Sequence, residues 1–161
     1  MNKRLLLIAS LSSAVLFSVG CATTPAPTTI ADTIARTPQL STLSKLVADA
    51  GLADTLRGPG PFTVFAPTDD AFKAVAPATL AALANDKDRL KATLMFHVVP
   101  GAVTAAKVVN GPVKTAQGAN VALARSGTFV TVDDAVVTLA DMPASNGVVH
   151  IVDRVLIPPA R

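Results

Sequence analysis

Residues 62–72 read Phe-Thr-Val-Phe-Ala-Pro-Thr-Asp-Asp-Ala-Phe and predict a buried strand that passes directly into a helix. Aromatic and β-branched residues are typical of such a strand, and a proline ends it. A threonine then stands at the N-cap position, and two aspartates follow in the first turn, where carboxylates interact favourably with the helix dipole. We expect most of these side chains to hold the framework rather than a ligand, above all Thr63, Phe65, Pro67, Thr68, Asp69 and Phe72.

The segments on either side of this motif are predicted to be helical. Apolar residues recur there every three or four positions, and glycines or prolines end the runs. The predicted helices are Leu40–Ala50, Leu52–Leu56, Ala71–Val75, Pro77–Leu83 and Lys87–Met95, with a further short helix at Thr104–Val109.

The second half of the chain reads as short strands separated by turn residues. Their spacing is typical of a β meander, with strands at Val113–Thr115, Val121–Ala124, Thr128–Val132 and Val136–Leu139. Val148–Ile157 is apolar on both faces and predicts a long central strand that contains His150, Asp153 and Arg154. Helices followed by strands indicate an α+β fold.

The N-terminus predicts an export signal. Lys3 and Arg4 precede an apolar run of about 15 residues, which is shorter than the ~20 that a membrane span needs. The run ends at Gly20-Cys21, and Cys21 is the only cysteine of the chain. This junction resembles the lipobox of bacterial lipoproteins, in which the cysteine is lipidated and becomes the new N-terminus. The alternative is an ordinary signal, cleaved nearby, that leaves a soluble protein and an incidental cysteine.

We divide the 161-residue chain into a signal peptide at 1–20, a tether at 21–29 and one domain at 30–159. The tether is rich in proline and threonine and predicts an extended spacer behind the lipidated Cys21. Removal of residues 1–20 takes away Lys3 and Arg4 but no acid, so the formal charge falls from +3 to +1. Because the chain also has no Tyr and no Trp to stack on bases, we expect no nucleic-acid partner.

Catalytic and metal-binding patterns are sparse. The chain has two histidines, His97 and His150, and its serines stand outside any Gly-x-Ser-x-Gly motif. Metal sites need converging His, Cys or carboxylate ligands, and the sequence marks no such cluster, so we expect no metal and no cofactor. We expect each imidazole to bond buried backbone groups; a hydrolase built on one of them is the weakest alternative.

Three segments resemble the fasciclin domain family. Residues 62–72 are similar to its first signature, and residues 146–158, which include Asn146, Gly147, His150, Asp153 and Arg154, are similar to its second. Between them, residues 94–101 resemble the central Tyr-His segment, with His97 in the histidine position and Phe96 where the family has tyrosine. The resemblance covers roughly residues 30–159. Because Phe96 lacks the tyrosine hydroxyl, the receptor contact linked to that segment in animal relatives is not carried over.

The resemblance implies a fasciclin-like α+β fold, a wedge-shaped β-sandwich or meander with N-terminal and inserted short helices. It also implies a non-catalytic adhesion or interaction module that binds envelope or matrix proteins or polysaccharides. With the signal and Cys21, we expect export across the inner membrane and a lipoprotein of the periplasm or outer membrane, surface-exposed or released. A periplasmic protein that binds a small apolar or sugar ligand is the alternative function. The sequence leaves the oligomeric state open.

Overall fold

The computed structural model describes residues 28–159. The predicted signal peptide, Cys21 and most of the predicted tether lie outside this range. The described α-helices are α1 (Ile30–Arg36), α2 (Ser41–Asp49), α3 (Ala53–Arg57), α4 (Asp69–Ala74), α5 (Pro77–Asn85) and α6 (Lys87–Phe96). The described strands are β1 (Phe62–Pro67), β2 (Val98–Pro100), β3 (Gly111–Lys114), β4 (Asn120–Ser126), β5 (Phe129–Val132), β6 (Ala135–Ala144) and β7 (Gly147–Val152).

The strands form one sheet in the order β2-β1-β7-β6-β5-β4-β3. Strands β3 to β7 make an antiparallel meander, as the turn spacing predicts. Strand β1 lies parallel to β7, and β2 adds an antiparallel edge strand to β1. The Ala116 amide, just after β3, donates to the Val98 carbonyl of β2 at 2.7 Å, which nearly closes the sheet into a barrel. The predicted α+β class is confirmed.

Alternation along β1 and β7 separates two apolar cores. Val64 and Ala66 of β1 pack with helices α1, α2 and α6, together with Val149 and Ile151 of β7. The intervening Phe65 faces the barrel interior instead, which is filled by residues of β4, β5 and β7 and by Phe96. Since strand side chains alternate between faces, β1 and β7 belong to both cores.

The barrel has two ends, and strand direction assigns each loop to one of them. The Thr28 end carries residues 58–61, 101–110, 127–128 and 145–146; there the Ser145 amide donates to the Thr28 carbonyl at 2.8 Å. The Asp133 end carries residues 115–119, 133–134 and the segment after β7. In the described part of the chain, no helix is long and apolar enough to cross a membrane.

Three predicted elements differ from the structure. The predicted strand Val148–Ile157 ends at Val152, because the chain turns at residues 153–154 and buries Leu156 in the barrel. The predicted helix Thr104–Val109 is a single 3₁₀ turn at Ala105–Lys107. Strand β6 runs over Ala135–Ala144, well beyond the predicted Val136–Leu139.

Candidate functional site

Thr63 of the first signature holds the loop between β2 and β3. Its side chain is fully buried. Its hydroxyl donates to the Gly101 carbonyl at 2.6 Å and accepts from the Val103 amide at 2.8 Å. The hydroxyl therefore donates one hydrogen bond and accepts another, both with backbone groups of one loop.

Phe65 and His150 form a stacked pair inside the barrel. Their ring centroids are 5.5 Å apart and the planes differ by 21°, as expected for partners in the β1–β7 register. His150 Nδ1 accepts from the Asp141 amide at 3.1 Å, so Nε2 carries the proton and donates to the Val103 carbonyl at 2.8 Å. Both ring nitrogens are used by backbone groups.

His97 lies at the C-terminus of α6 and is buried. Its Nε2 accepts from the Leu156 amide at 2.9 Å, so the proton is on Nδ1, which donates to the Thr93 carbonyl at 2.8 Å. Burial lowers the pKa of His97 to about 4, and the Thr93 carbonyl opposes that shift only in part. The ring is therefore neutral at pH 7 and joins α6 to the C-terminal segment.

Asn146 joins the turn between β6 and β7 to the first helices, and Gly147 brings β7 against β1. The Asn146 amide donates to the carbonyls of Leu56 and Gly58 at 2.7 and 2.9 Å, and its oxygen accepts from the Ile30 amide at 2.9 Å. Gly147 lies against β1 so closely that an added Cβ would overlap the Phe62 carbonyl. Only glycine allows this approach.

The remaining residues of the first signature also bond or pack internally. Thr68 Oγ1 accepts from the Ala71 amide at 3.2 Å and caps α4. Asp69 accepts from the Ser41 hydroxyl at 2.7 Å and the Thr42 amide at 2.8 Å, and these bonds hold the pKa of its carboxyl below the usual range. Pro67 pairs with Val152 at the end of β1, and Phe72 is buried in the helix-side core.

Asp153 and Arg154 do not lie in the central strand that the sequence predicts. Asp153 follows the end of β7, where its carboxylate accepts from the Val136 amide at 2.7 Å and its own amide donates to the Val136 carbonyl at 3.1 Å. The Arg154 side chain is exposed and makes no hydrogen bond or ion pair with any other described residue. It lines an open groove with Asp133, Asp134 and Ile157, here called the Asp133-end groove.

Asp141 is a structural residue that the sequence analysis missed. It stands in a left-handed conformation, with φ of 59°, inside an irregular part of β6. Its carboxylate accepts from the Ala105 amide at 2.8 Å, and its amide donates to His150. Aspartate and proline are both uncommon inside a strand, so Asp141 before Met-Pro is the sequence feature that marks this irregular part of β6.

An apolar cavity lies between the helices and β1. Its volume is about 40 Å³, and its lining includes Leu43, Val47, Val64 and Val98. Pockets for drug-sized ligands are roughly 300–1,000 Å³. The cavity is therefore much smaller than a ligand pocket and is a small packing defect.

The described residues offer little for catalysis or metal binding. Within residues 28–159 no three His, Cys, Asp or Glu side chains come together in a way that could hold a metal ion. Both histidines bond backbone groups through both nitrogens, so neither has a nitrogen available for proton transfer to a substrate. A binding partner of the described domain would therefore contact its outer surface.

The sequence of this chain is similar to a protein-family model and to named proteins of Synechocystis sp. and Mycobacterium bovis. A family model described as "Fasciclin domain" matches residues 38–158. The chain is 42% identical over 143 residues to "Protein sll1483" of Synechocystis sp., a match that covers 88% of this chain and 79% of that protein. It is 34% identical over 137 residues to "Cell surface glycolipoprotein MPB83" of Mycobacterium bovis, covering 82% of this chain and 61% of that relative.

A solved structure has the same fold. It is a FAS1 domain pair from the insect cell adhesion molecule fasciclin I, with a TM-score of 0.61 and 21% sequence identity. The match covers 73% of this chain and 45% of that chain, so the present chain spans less than half of the domain pair.

Proposed function

From the premise that this chain belongs to the fasciclin domain family, we propose that it is a non-catalytic interaction module, lipid-anchored in the cell envelope, that binds a surface protein or polysaccharide. Fasciclin domains are modules of the cell-adhesion type, and a relative at 34% identity is named a cell surface glycolipoprotein. The Gly20-Cys21 junction and the signal before it support the anchor.

One observation carries the interaction role. Nearly all signature side chains face inward and bond or pack within the domain, as with Thr63, His97, Asn146 and His150. Among the motif residues singled out in the sequence, Arg154 is the exception, since its guanidinium is exposed in the Asp133-end groove beside Ile157, which is 53% exposed. An exposed arginine next to an apolar side chain and two carboxylates suits recognition of a polar macromolecule.

The small-ligand alternative receives no support from the apolar cavity. A volume of about 40 Å³ is far too small to enclose a sugar.

The anchor is tested by labelling cells with a radioactive or clickable fatty acid and fractionating them. We expect label on the wild-type chain and on a Thr24→Ala control, both retained in membranes, and no label on Cys21→Ala. Membrane retention of Cys21→Ala equal to wild type would contradict the anchor.

The partner is tested by crosslinking in intact cells, followed by identification of the proteins and polysaccharides that are caught. We expect an Arg154→Ala, Ile157→Ser double variant to lose the crosslinked species, whereas Lys45→Ala, an exposed change on α2, keeps it. An unchanged pattern in the double variant would reject the Asp133-end groove as the binding surface.

A further inference from the structure

The chain enters the domain at the Thr28 end. The Thr28 carbonyl accepts from the Ser145 amide, and Thr29 caps α1 by accepting from the Asp32 amide. Cys21 stands seven residues before Thr28. Since a fully extended chain spans at most ~3.6 Å per residue, those residues reach no further than about 25 Å. A lipid on Cys21 therefore keeps the Thr28 end close to the bilayer.

The Thr28 end also carries the two most exposed of the large hydrophobic side chains among residues 28–159. Val109, in the loop before β3, is 77% exposed, and Phe129, at the start of β5, is 69% exposed. Phe129 pairs with Ser126 across the β4–β5 turn. The Asn110 side chain next to Val109 accepts from the Arg125 amide at 2.6 Å, so both apolar tips lie near the end of β4.

Cationic side chains accompany these tips. Arg125 donates to the Gly127 carbonyl at 3.1 Å through Nε and to the Ala106 carbonyl at 2.7 Å, which fixes its guanidinium beside the turn. No carboxylate among the described residues lies within 4.0 Å of Arg125 or of the exposed Lys107. Asp141 is also on this side, where its carboxylate is engaged by the Ala105 amide. Asp32 of α1 and Asp54 of α3 lie there as well, each paired with the Arg57 guanidinium, at 3.6 and 3.5 Å.

The opposite end of the barrel carries more acidic than basic side chains. Five of the described aspartates follow strands that finish there or stand in its turns, namely Asp69, Asp70, Asp133, Asp134 and Asp153. The cations on that side are Lys73, which pairs with Asp70 at 2.8 Å, Lys114 and Arg154. An anionic surface therefore repels the Asp133 end, whereas at the Thr28 end it meets Lys107 and Arg125, which have no carboxylate of the described residues within 4.0 Å.

We propose that the Thr28 end rests on an anionic phospholipid bilayer, with Phe129 and Val109 inserted at the interface and Lys107 and Arg125 against lipid phosphates. This inference rests on the lipidation of Cys21 proposed above. Exposed apolar tips flanked by cations are the composition that binds the headgroup boundary. The contact fixes the orientation of the domain and presents the Asp133-end groove away from the membrane.

The test uses the full-length, processed lipoprotein in vesicles of phosphatidylethanolamine and phosphatidylglycerol. Lipidation consumes the Cys21 thiol, so a single new cysteine can carry an environment-sensitive fluorophore. Val109→Cys and Phe129→Cys report on the Thr28 end, and Ile157→Cys is the matched exposed apolar position at the other end. Lipids with a spin label on the acyl chain quench a fluorophore that enters the bilayer.

We expect quenching at 109 and 129 to exceed quenching at 157 by about threefold or more, as for side chains that enter the interface. Lys107→Glu should weaken quenching at 109, whereas Lys45→Glu should not. Equal quenching at all three positions would overturn the proposal. So would fluorescence at 129 that is shielded from water without lipid quenching, since that marks a protein contact instead.

The intact mass of the purified chain separates this inference from its premise. A mass with the diacylglyceryl group and equal quenching at both ends overturns the orientation alone. A mass without that group overturns the anchor and the orientation together.

Discussion

At the scale of single residues, His97 makes the stability of the domain depend on pH. It is neutral in the folded domain with a pKa lowered to about 4, whereas an unfolded histidine has a pKa of about 6.5. Between these values the unfolded chain binds the proton that the folded domain excludes. The stability that the neutral ring provides is complete above pH 6.5 and is lost as the pH falls toward 4.

We predict that His97→Gln flattens the pH dependence of stability. One pKa unit corresponds to 1.36 kcal/mol, so the wild-type domain should lose roughly 2.5 kcal/mol between pH 7.5 and pH 4.5 through this residue. The variant should be less stable at pH 7.5, because Leu156 and Thr93 lose their side-chain partner. Urea unfolding at intervals across this range measures both effects.

Thr28→Ala serves as the control for this measurement, because it changes no titratable group. Its unfolding free energy should fall with pH in parallel with wild type. A His97→Gln profile that also runs parallel to wild type would contradict the assignment of the pH dependence to His97.

Thr63 allows a second prediction at a single residue. Thr63→Val keeps the side-chain shape but leaves the Gly101 carbonyl and the Val103 amide without their partner. The free energy of unfolding should drop by about 2 kcal/mol, and the Val103 amide should exchange its hydrogen faster. Thr63→Ser retains the hydroxyl and should recover most of both. Slow exchange at Val103 in the valine variant would show that the loop does not depend on this bond.

At the scale of elements, the contact between β1 and β7 depends on the absence of a side chain. We predict that Gly147→Ala costs more than about 3 kcal/mol of stability, because its Cβ would overlap the Phe62 carbonyl and separate the strands. Gly127→Ala is the matched control; it has φ of +62° and nothing within 4 Å of an added Cβ, so it should cost only about 1–2 kcal/mol. Thermal or urea unfolding compares the two, and equal losses would contradict the clash.

The helices, the meander and the α+β class follow from local patterns in the sequence, whereas the irregular elements do not. Strand β6 continues through Asp141 because its left-handed backbone is held by partners from distant segments, Ala105 and His150. Val155 to Ile157 continue the apolar pattern of β7, yet the chain turns because Asp153 closes the ladder on Val136. Propensity describes a residue and its neighbours in sequence, and these outcomes depend on contacts across the barrel.

The same limit applies to the candidate site. The sequence identifies the inward motif residues, since they stand in the most patterned segments, such as that around Thr63. It does not identify the partners of His97 or His150, which lie 59 and 47 positions away at Leu156 and Val103. The exposed tips at Val109 and Phe129 carry no pattern, because each is a single apolar residue in a turn-rich region.

At the scale of the whole molecule, the barrel has chemically different ends. The Thr28 end holds the chain entry, two exposed apolar tips and cations, and the Asp133 end holds acidic turns and the groove around Arg154. In the proposed lipid-anchored state, the Thr28 end faces the membrane and the Asp133 end faces the binding partner. The described signature residues are mostly internal and stabilise the fold. Residues on the outer surface can therefore differ, and with them the binding partner, without a change of fold.

The two apolar cores should unfold together, because β1 and β7 contribute to both. Leu43 lies in the helix-side core and is 2% exposed, and its replacement by alanine should cost about 2–5 kcal/mol. If the cores are coupled, Leu43→Ala accelerates hydrogen exchange of the Val121 and Val132 amides in the barrel as much as that of Val47 in α2. Exposed Lys45→Ala on the same helix should leave all three unchanged. Exchange that rises at Val47 but stays at the wild-type rate at Val121 and Val132 would mean that the helices open independently, and the sheet would then be the stable unit of the fold.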